Sequence, residues 1–427
     1  MKRPRVESGS VQATADPPTV PRLFIAARDF YPPFRVDITE LFGVFLVRRF
    51  DLTWLMRRSD YGPAAVIETA PHERFVVPRR EPGRLSGIRS RLSYMAAAWA
   101  QAFHAAAGRW DLVQVRDIPI GSLWFFLAAR IARRPFVYWM SFPVLEAYLD
   151  RARHPADGDS PLLTLYRRAY HALGRIVQYR IVLRGADHVF VQSQIMRREV
   201  MERGVDGTKV TPVPMAVNVE RYNPGTVPPA RDGRLAGRKV LVYVGSLEPQ
   251  RQPVMLIEAL AAVLQEEQSA LLVFVGARDP ETAESMTARA EELGVADHIL
   301  YTGHLPLADA LSYVARADVC LALYPVTDLL VSGTPTKLVE YLAMGRPVVG
   351  NAHPYQSEVI AETGAGVVAE MNAAAFARAI LSILSEGGAA IARAAAAPAW
   401  VRANLSYDVT ATRVGDVYAR LVAERRR

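Results

Sequence analysis

Cysteine is almost absent from this chain: Cys320 stands alone among 427 residues, inside the apolar run Asp318–Leu323. A single thiol closes no intrachain disulfide, so oxidative stapling is excluded and a reducing cytoplasm fits. Its apolar setting favours a small core residue over a nucleophile. Long apolar runs are missing too. The nearest to the ~20 residues of a membrane helix is Ile118–Met140, broken by Arg130, Arg133, Arg134 and Pro135. There is no Walker A sequence and no Gly-x-Gly-x-x-Gly fingerprint, which argues against an NTPase or an ordinary dehydrogenase. RNP-like, zinc-finger and helix-turn-helix signatures are also lacking, so nucleic acid is the weakest partner class. His104, His171 and His188 fit neither a zinc spacing nor a catalytic triad. Asp157-Gly-Asp159 reads as a solvated turn, so no metal site and no cofactor are expected.

The chain has the makings of a globular protein: 51% of its residues are apolar and 22% charged, and its length suffices for two α/β domains. The net charge of +8 is unevenly divided. Met1–Glu220 carries 32 Lys and Arg against 21 Asp and Glu, a net +11, almost all through arginine; the remainder carries 19 against 22, a net −3. A basic half of this kind suits an anionic membrane surface or a phosphorylated substrate. Met1–Pro21 mixes Lys2, Arg3 and Arg5 with four prolines, lacks the apolar core of a signal peptide and reads as a disordered leader.

Short apolar runs then alternate with amphipathic ones. Strands are expected at Leu23–Ala27, Asp51–Met56, Arg74–Val77, Asp111–Val115, Phe136–Met140, His188–Gln192 and Lys209–Val213. Helical patterns fall at Val36–Arg49, Ser86–Ala107, Gly121–Ala132, Leu162–Leu183 and Gln194–Arg203. This alternation implies a parallel sheet with right-handed crossovers. A Pro- and Gly-rich stretch opening at Asn223 marks a linker, 223–238. The pattern restarts with strands Lys239–Val244, Ala270–Val275, His298–Tyr301, Val319–Leu323 and Pro347–Gly350, and with the helix Pro253–Gln265. The expected organisation is therefore two Rossmann-like domains, 22–222 and 239–404, facing across a cleft. The final segment 405–427, helical over Tyr407–Arg425, is expected to pack back on the first domain.

The most informative segment is Ser332-Gly-Thr-Pro-Thr-Lys-Leu-Val-Glu-Tyr-Leu-Ala-Met-Gly-Arg-Pro-Val-Val-Gly350. It reads as a loop, a helix from Pro335 to Met344 with Thr334 as N-cap and Pro335 in the first helical position, a stop at Gly345, then a strand. A helix N-terminus offers free N–H groups and a positive dipole end to a diphosphate. Lys337 in the first turn breaks the acidic preference there, as an adjacent anion would allow. Glu340 follows on the same face, and a carboxylate accepts both hydroxyls of a ribose diol. By spacing alone the pair fits equally a surface lysine and a solvated glutamate.

Thr334 to Val349 resembles the donor-site signature of the family 4 retaining glycosyltransferases, of GT-B fold. The resemblance extends to Val242-Tyr-Val-Gly-Ser-Leu-Glu-Pro-Gln-Arg251, to Tyr301-Thr-Gly-His304, to Gly185–Ser193 and to Val213–Tyr222. It covers Gly185–Tyr407 well and Arg22–Arg184 by pattern only. It implies that Glu340 binds ribose hydroxyls and that Arg251 replaces a diphosphate-binding lysine. Gly245 and Ser246 would form the phosphate turn. Thr334, Pro335, Thr336, Lys337 and Leu338 would face sugar and phosphates, with Tyr301 and Thr302 near the base. Transfer would retain anomeric configuration without metal. Arg251 and Lys337 would stabilise the leaving diphosphate, which itself takes the acceptor proton. The acceptor would be a glycan or a lipid-linked one, at the cytoplasmic side and peripheral to the membrane.

Four departures stand against this pattern. Ser246 replaces a common arginine, and Ser332 replaces an acidic residue that contacts sugar. Tyr31-Pro-Pro-Phe-Arg-Val-Asp37 replaces a glycine-rich loop, and Val137–Pro143 lacks an acceptor-side histidine. Arg35 is a candidate to offset Ser246. These losses also suit a noncatalytic partner of an active transferase, and the fold is shared by sugar-nucleotide epimerases, although no acid/base pair can be named here. The survival of Arg251, Lys337 and Glu340 together favours the enzyme. The arginines Arg167, Arg168, Arg175, Arg180, Arg184, Arg197, Arg198 and Arg203, interleaved with Tyr166, Tyr170 and Tyr179, fit docking on anionic headgroups and fit equally a solvated face.

Overall fold

The computed structural model describes residues 20–83, 86–156 and 158–426. The leader Met1–Pro21 falls outside these except for Val20 and Pro21, as does Asp157 of the acidic turn.

Two sheets organise the chain. The first contains β1 (Arg22–Tyr31), β2 (Asp51–Arg58), β3 (Ala65–Ala70), β4 (Glu73–Val77), β5 (Leu112–Arg116), β6 (Phe136–Met140), β7 (His188–Val191) and β8 (Val210–Pro212). Their order is β3-β4-β2-β1-β5-β6-β7-β8, parallel except for the antiparallel pair β3/β4. The second contains β9 (Lys239–Val244), β10 (Ala270–Val275), β11 (Ile299–Gly303), β12 (Val319–Ala322), β13 (Val348–Asn351) and β14 (Gly366–Ala369), ordered β11-β10-β9-β12-β13-β14 and wholly parallel. Strands β5, β6, β10, β12 and β13 are buried along their whole length, which is why β6, β10 and β12 read as unbroken apolar runs. Strand order reverses at β1/β5 and at β9/β12. At such switch points the loops leaving the strand carboxyl ends diverge and open a crevice.

The helices of the first half are α1 (Ser86–Ala106), α2 (Ser122–Ile131), α3 (Val144–Arg153), α4 (Pro161–Arg175), α5 (Leu183–Gly185) and α6 (Gln194–Glu202). The second half has α7 (Pro253–Val263), α8 (Pro280–Glu292), α9 (Leu307–Arg316), α10 (Thr336–Ala343), α11 (Pro354–Thr363), α12 (Ala373–Glu386), α13 (Gly388–Ala394) and α14 (Ala397–Asn404). The described chain ends in α15 (Tyr407–Arg426). No single helix among the described residues is long and apolar enough to cross a membrane.

Two expected helices are irregular. Val36–Arg49 winds as wide π-type turns over Asp37–Phe45 and a tight 3-10 turn over Leu46–Arg48, and Leu162–Leu183 changes from α4 into π-type turns over Ile176–Val182. Wide turns let Asp37, Ile38, Glu40, Leu41 and Phe42 all face inward, more than one stripe of a regular helix allows.

The segment 223–238 is no free tether. Leu235 is buried in the core beneath β9, and the Ala230 amide donates to the Ser312 carbonyl oxygen at 2.9 Å. The chain crosses between the sheets twice, side by side: the Val217 amide donates to the Leu405 carbonyl oxygen and the Tyr407 amide to the Val217 carbonyl oxygen, both at 3.0 Å. Beyond that point α15 lies on the first sheet. Tyr407, Val414, Tyr418 and Leu421 share a core with Leu23, Ile25, Phe50 and Leu52, and the Tyr418 hydroxyl donates to Gln114 Oε1 at 2.5 Å.

Candidate functional site

Helix α10 is held by its buried residues Leu338, Val339, Tyr341 and Leu342, and the Val244 amide at the end of β9 donates to the Tyr341 hydroxyl at 2.8 Å. That docking turns Lys337 and Glu340 toward the cleft. The helix starts at Thr336, one residue later than expected, and Pro335 occupies the cap position without a side-chain cap. Thr334 does not cap it, because its hydroxyl accepts instead from the Met215 amide at 2.9 Å. Ser193 Oγ donates to the Ser332 carbonyl oxygen at 2.7 Å. Two residues of the first half thus hold the loop that enters α10, leaving the first amides of the helix uncapped.

The turn after β9 sits directly over Lys337. Gly245 has φ +135°, and a Cβ there would lie 2.4 Å from Lys337 Cε and 2.7 Å from Nζ. Gly276, at the end of β10, packs so closely that a Cβ would stand 2.0 Å from the Gly245 carbonyl oxygen. Only glycine permits this stacking of turns. The Lys337 ammonium donates to the Tyr243 hydroxyl at 2.9 Å and lies 4.5 Å from the centre of that ring. Burial, with the charge of Arg251 adding to it, lowers the Lys337 pKa to about 7, against a smaller opposite pull from Glu340 and Glu248. Arg251 ends a short turn after Pro249 and places its guanidinium 5.2 Å from the centre of the Tyr324 ring. Neither Arg251 nor Lys337 forms an ion pair among the described residues, although the charge of Arg251 lowers the Lys337 pKa. Two cations held together beside uncapped helix amides suit an anion with several oxygens.

Glu340 lies on the far side of Lys337. Its Oε1 accepts from the Tyr222 hydroxyl at 3.0 Å, and burial raises its pKa while Tyr222 and Lys337 oppose that rise. Oε2 has no hydrogen-bond partner among the described residues, so the carboxylate retains capacity for a diol. Tyr222 belongs to the crossing segment, where Asn218 Nδ2 donates to Glu40 Oε2 at 2.9 Å and Arg221 pairs with the same carboxylate. One short segment therefore links Glu40 of the first half to Glu340 of the second.

Tyr301 is already sandwiched. It stacks on Phe274 with centroids 5.5 Å apart, and the Arg278 guanidinium covers its other side at 3.8 Å. Thr302 Oγ1 is turned to the carbonyl oxygens of Gly303 and Phe274, at 3.0 and 3.4 Å. The face presented beside these residues is thus that of Arg278, whose backbone bridges to Leu247 next to the exposed Ser246. Arg278, Tyr243, Tyr222 and Tyr324 escaped sequence reasoning. The one available signal was Gly276 closing a fully buried strand, as Gly245 does one strand away.

The opposing wall comes from β1, β5 and β6. Arg116 is fully buried: its guanidinium pairs with Asp37, lies 3.4 Å from Asp29 Oδ2 and donates to Ser141 Oγ at 3.2 Å. Burial pushes Asp37 up, but Arg116 and Arg35 outweigh it and hold its pKa at about 2. Asp117, at φ +55°, accepts from the Ser141 amide at 2.8 Å and from the Ser141 hydroxyl; burial raises its pKa. Arg35 reaches toward Tyr324 and acts on its phenol, but it is bound by Asp37 at 3.2 Å and Asp29 at 3.9 Å. Its charge is largely matched locally. Ser332, at the expected acidic position, is buried with its hydroxyl unpartnered.

Known proteins resemble both halves of the chain. Residues 230–399 match the model of the glycosyl transferases group 1, and residues 44–216 match that of the glycosyl transferase 4-like domain. The chain belongs to the group 1 glycosyltransferases. It has the GT-B fold. It is 27% identical over 212 residues to a GDP-mannose-dependent alpha-(1-6)-phosphatidylinositol monomannoside mannosyltransferase of Mycobacterium tuberculosis (strain CDC 1551 / Oshkosh), covering 48% of this chain and 54% of that one. It is 26% identical over 320 residues to a D-inositol 3-phosphate glycosyltransferase of Salinispora tropica, covering 68% and 64%. The chain thus spans about half to two thirds of the length of these curated relatives. Among solved structures, sucrose-phosphate synthase from Thermosynechococcus elongatus superposes with a TM-score of 0.66 at 18% identity, covering 95% of this chain and all of that one. The Anabaena protein Alr3699/HepE in complex with UDP-glucose gives 0.63 at 15%, covering 93% and 99%.

Proposed function

We propose that this glycosyltransferase moves a sugar from a nucleoside-diphosphate sugar to a glycan or lipid-linked acceptor, with retention of anomeric configuration. The observation that carries the reading is the pair Arg251 and Lys337, two neighbouring basic side chains with no ion pair among the described residues, beside the uncapped N-terminus of α10. A diphosphate supplies the missing charge. Glu340 holds the ribose diol, and Arg278 covers the base side. As the glycosidic bond breaks, negative charge grows on the diphosphate, and fixed cations in a half-buried cleft stabilise that state more than the ground state. The leaving phosphate takes the acceptor proton; Asp117, whose oxygens are occupied by the Ser141 amide and hydroxyl, needs no part in it.

In this reading 22–222 receives the acceptor and 239–404 the donor, with 405–427 clasping the two, and the enzyme works at the cytoplasmic face of a membrane. The names of the relatives, one GDP-mannose-dependent and one a D-inositol 3-phosphate glycosyltransferase, and a GT-B neighbour holding UDP-glucose, support a nucleotide-sugar donor. The test is a thermal-shift panel of UDP, GDP and their sugars, followed by donor hydrolysis in the purified protein. Stabilisation by one nucleotide series, lost in Glu340→Gln, is the expected result; no response to any nucleotide would overturn the proposal.

A further inference from the structure

The face of the first half that turns away from α15 is apolar where a water-exposed face is ordinarily polar. Along α1, Ile88, Leu92, Met95, Trp99 and Phe103 are all exposed, Trp99 by 52% and Phe103 by 73%. At 100° per residue they fall within an arc of about 80°, with Arg89 and Arg91 about 80° to either side of its centre. The buried residues of the same helix, Ala102 and Ala105, belong to the core below. Helix α2 repeats the arrangement with Trp124, Leu127 and Ile131, the last 73% exposed; α4 repeats it with Leu162, 77% exposed, Leu165, Tyr166 and Leu173.

These stripes adjoin. Trp99 and Trp124 meet with ring centroids 4.5 Å apart, joining α1 to α2. Helix α2 packs against the turns Ile176–Val182 that continue α4, and there Ile176 and Ile181 are exposed as well. The surface is therefore continuous across three helices, and it reaches the cleft, since α2 begins just beyond Asp117.

Its charge is of one sign. Helices α1, α2 and α4 and the turns Ile176–Val182 contain no Asp or Glu at all, while carrying Arg89, Arg91, Arg130, Arg167, Arg168, Arg175 and Arg180. Arg167 is matched by Asp159 and Arg130 by Asp187, but Arg91, Arg168, Arg175 and Arg180 have no ion pair among the described residues. Exposed tryptophans among apolar stripes, with unmatched arginines beside them, are the chemistry of an interfacial helix on an anionic bilayer.

We infer that α1, α2 and α4 form a docking surface for an anionic phospholipid membrane, inserting Trp99, Phe103, Trp124 and Ile131 to headgroup depth while the arginines contact lipid phosphates. This deepens the lipid-linked acceptor of the proposed function and rests on that reading only for what the docked enzyme does there. Docked this way, the cleft mouth lies at the lipid surface, where a membrane-held acceptor is presented.

The experiment is sedimentation of the full chain with vesicles of phosphatidylcholine with or without phosphatidylglycerol, read together with tryptophan emission. The expected result is binding to the anionic vesicles, weakened by salt, with a blue shift of the emission. Trp99→Asp with Phe103→Asp should reduce partition by about tenfold or more, Ile131→Asp should reduce it as a single exposed change, and Arg91→Glu with Arg168→Glu should cost about fivefold per arginine on anionic vesicles only. Nucleotide thermal shifts on the same variants report that they are folded. Absence of binding to anionic vesicles, or binding that none of these variants weakens, would overturn the inference. So would a wild-type dimer in sedimentation velocity that Trp99→Asp dissociates, since a second copy would then cover the face. A protein that binds vesicles but no nucleotide would sink the proposed donor chemistry and leave the docking surface standing.

Discussion

The two halves of this protein differ in what they leave open to solvent. Among the described residues, 15 of the 24 exposed large apolar side chains lie on α1, α2, α4 and the turns that follow α4; the second sheet and its helices carry only Leu307, Val326 and Val368. Charge divides the same way, +11 through Glu220 and −3 after it. In the second half two basic side chains without an ion pair among the described residues, Arg251 and Lys337, meet at the N-terminus of α10. The first half spreads arginines over a surface. A donor is a small molecule that a few fixed contacts recognise, whereas an acceptor embedded in a larger assembly needs area.

The sharpest way to break this contrast is to remove a donor-side cation. Lys337→Ala should lower turnover by about 100- to 1000-fold, the usual cost of losing one preorganised partner of the developing charge, with vesicle binding unchanged. An effect below tenfold would mean that the second half does not carry the chemistry. Glu340→Gln should raise the dissociation constant for the nucleoside diphosphate by about 10- to 100-fold, the worth of charged hydrogen bonds to two hydroxyls, and calorimetry with the ribo- and deoxyribonucleotides would show whether the loss is confined to the ribose.

A pH series sharpens the same point. In the free protein the Lys337 pKa is lowered to about 7, and a bound diphosphate favours its charged form and so raises that value. Below pH 7 lysine is already protonated and affinity is flat. Above it, binding must take up a proton, so affinity falls by up to about tenfold per pH unit until the pKa of the complex is reached. Titration calorimetry at pH 8 in buffers of different ionisation heat should show uptake approaching one proton, which Lys337→Ala abolishes.

How legible each half was follows the same division. The motif around α10 stands out in the sequence because Gly245, Lys337 and Gly345 each answer a local demand: a close approach, a charge, a helix stop. What the sequence hid depends on neighbours. Thr334 reads as an N-cap, yet its hydroxyl is taken by Met215 from the other half. Strand β3 alternates too weakly to stand out because it lies half exposed at an edge. Strand β14 has four residues and opens on Gly366, where a Cβ would meet the Val348 carbonyl oxygen at 2.2 Å. The stripe on α1 reads as a core face by period; only the structure shows that it is displaced from the buried face at Ala102 and Ala105.

Arg35 tests whether the halves are electrostatically joined. Its charge, like that of Arg251, opposes the burial that raises the Tyr324 pKa, but Asp29 and Asp37 already match it. Arg35→Ala should therefore weaken donor binding by only about two- to fivefold, as expected for a screened charge acting at a distance. An unchanged affinity and turnover would show that nothing on the first wall compensates for Ser246.

The smallest expected effect concerns the clasp. Helix α15 belongs to the second half by sequence order and to the first by packing, and its buried polar tie is the Tyr418 hydroxyl on Gln114 Oε1. The Gln114 amide nitrogen is already unpartnered, so Tyr418→Phe strips this buried side chain of its remaining hydrogen bond while leaving the ring contacts with Phe50 and Phe190 in place. The cost should be about 1–2 kcal/mol of stability, seen as a lower urea midpoint for the first half, with nucleotide affinity unaltered because no donor contact is touched. A nucleotide affinity that falls with it would show that the clasp sets the closure of the cleft as well as the stability of one sheet.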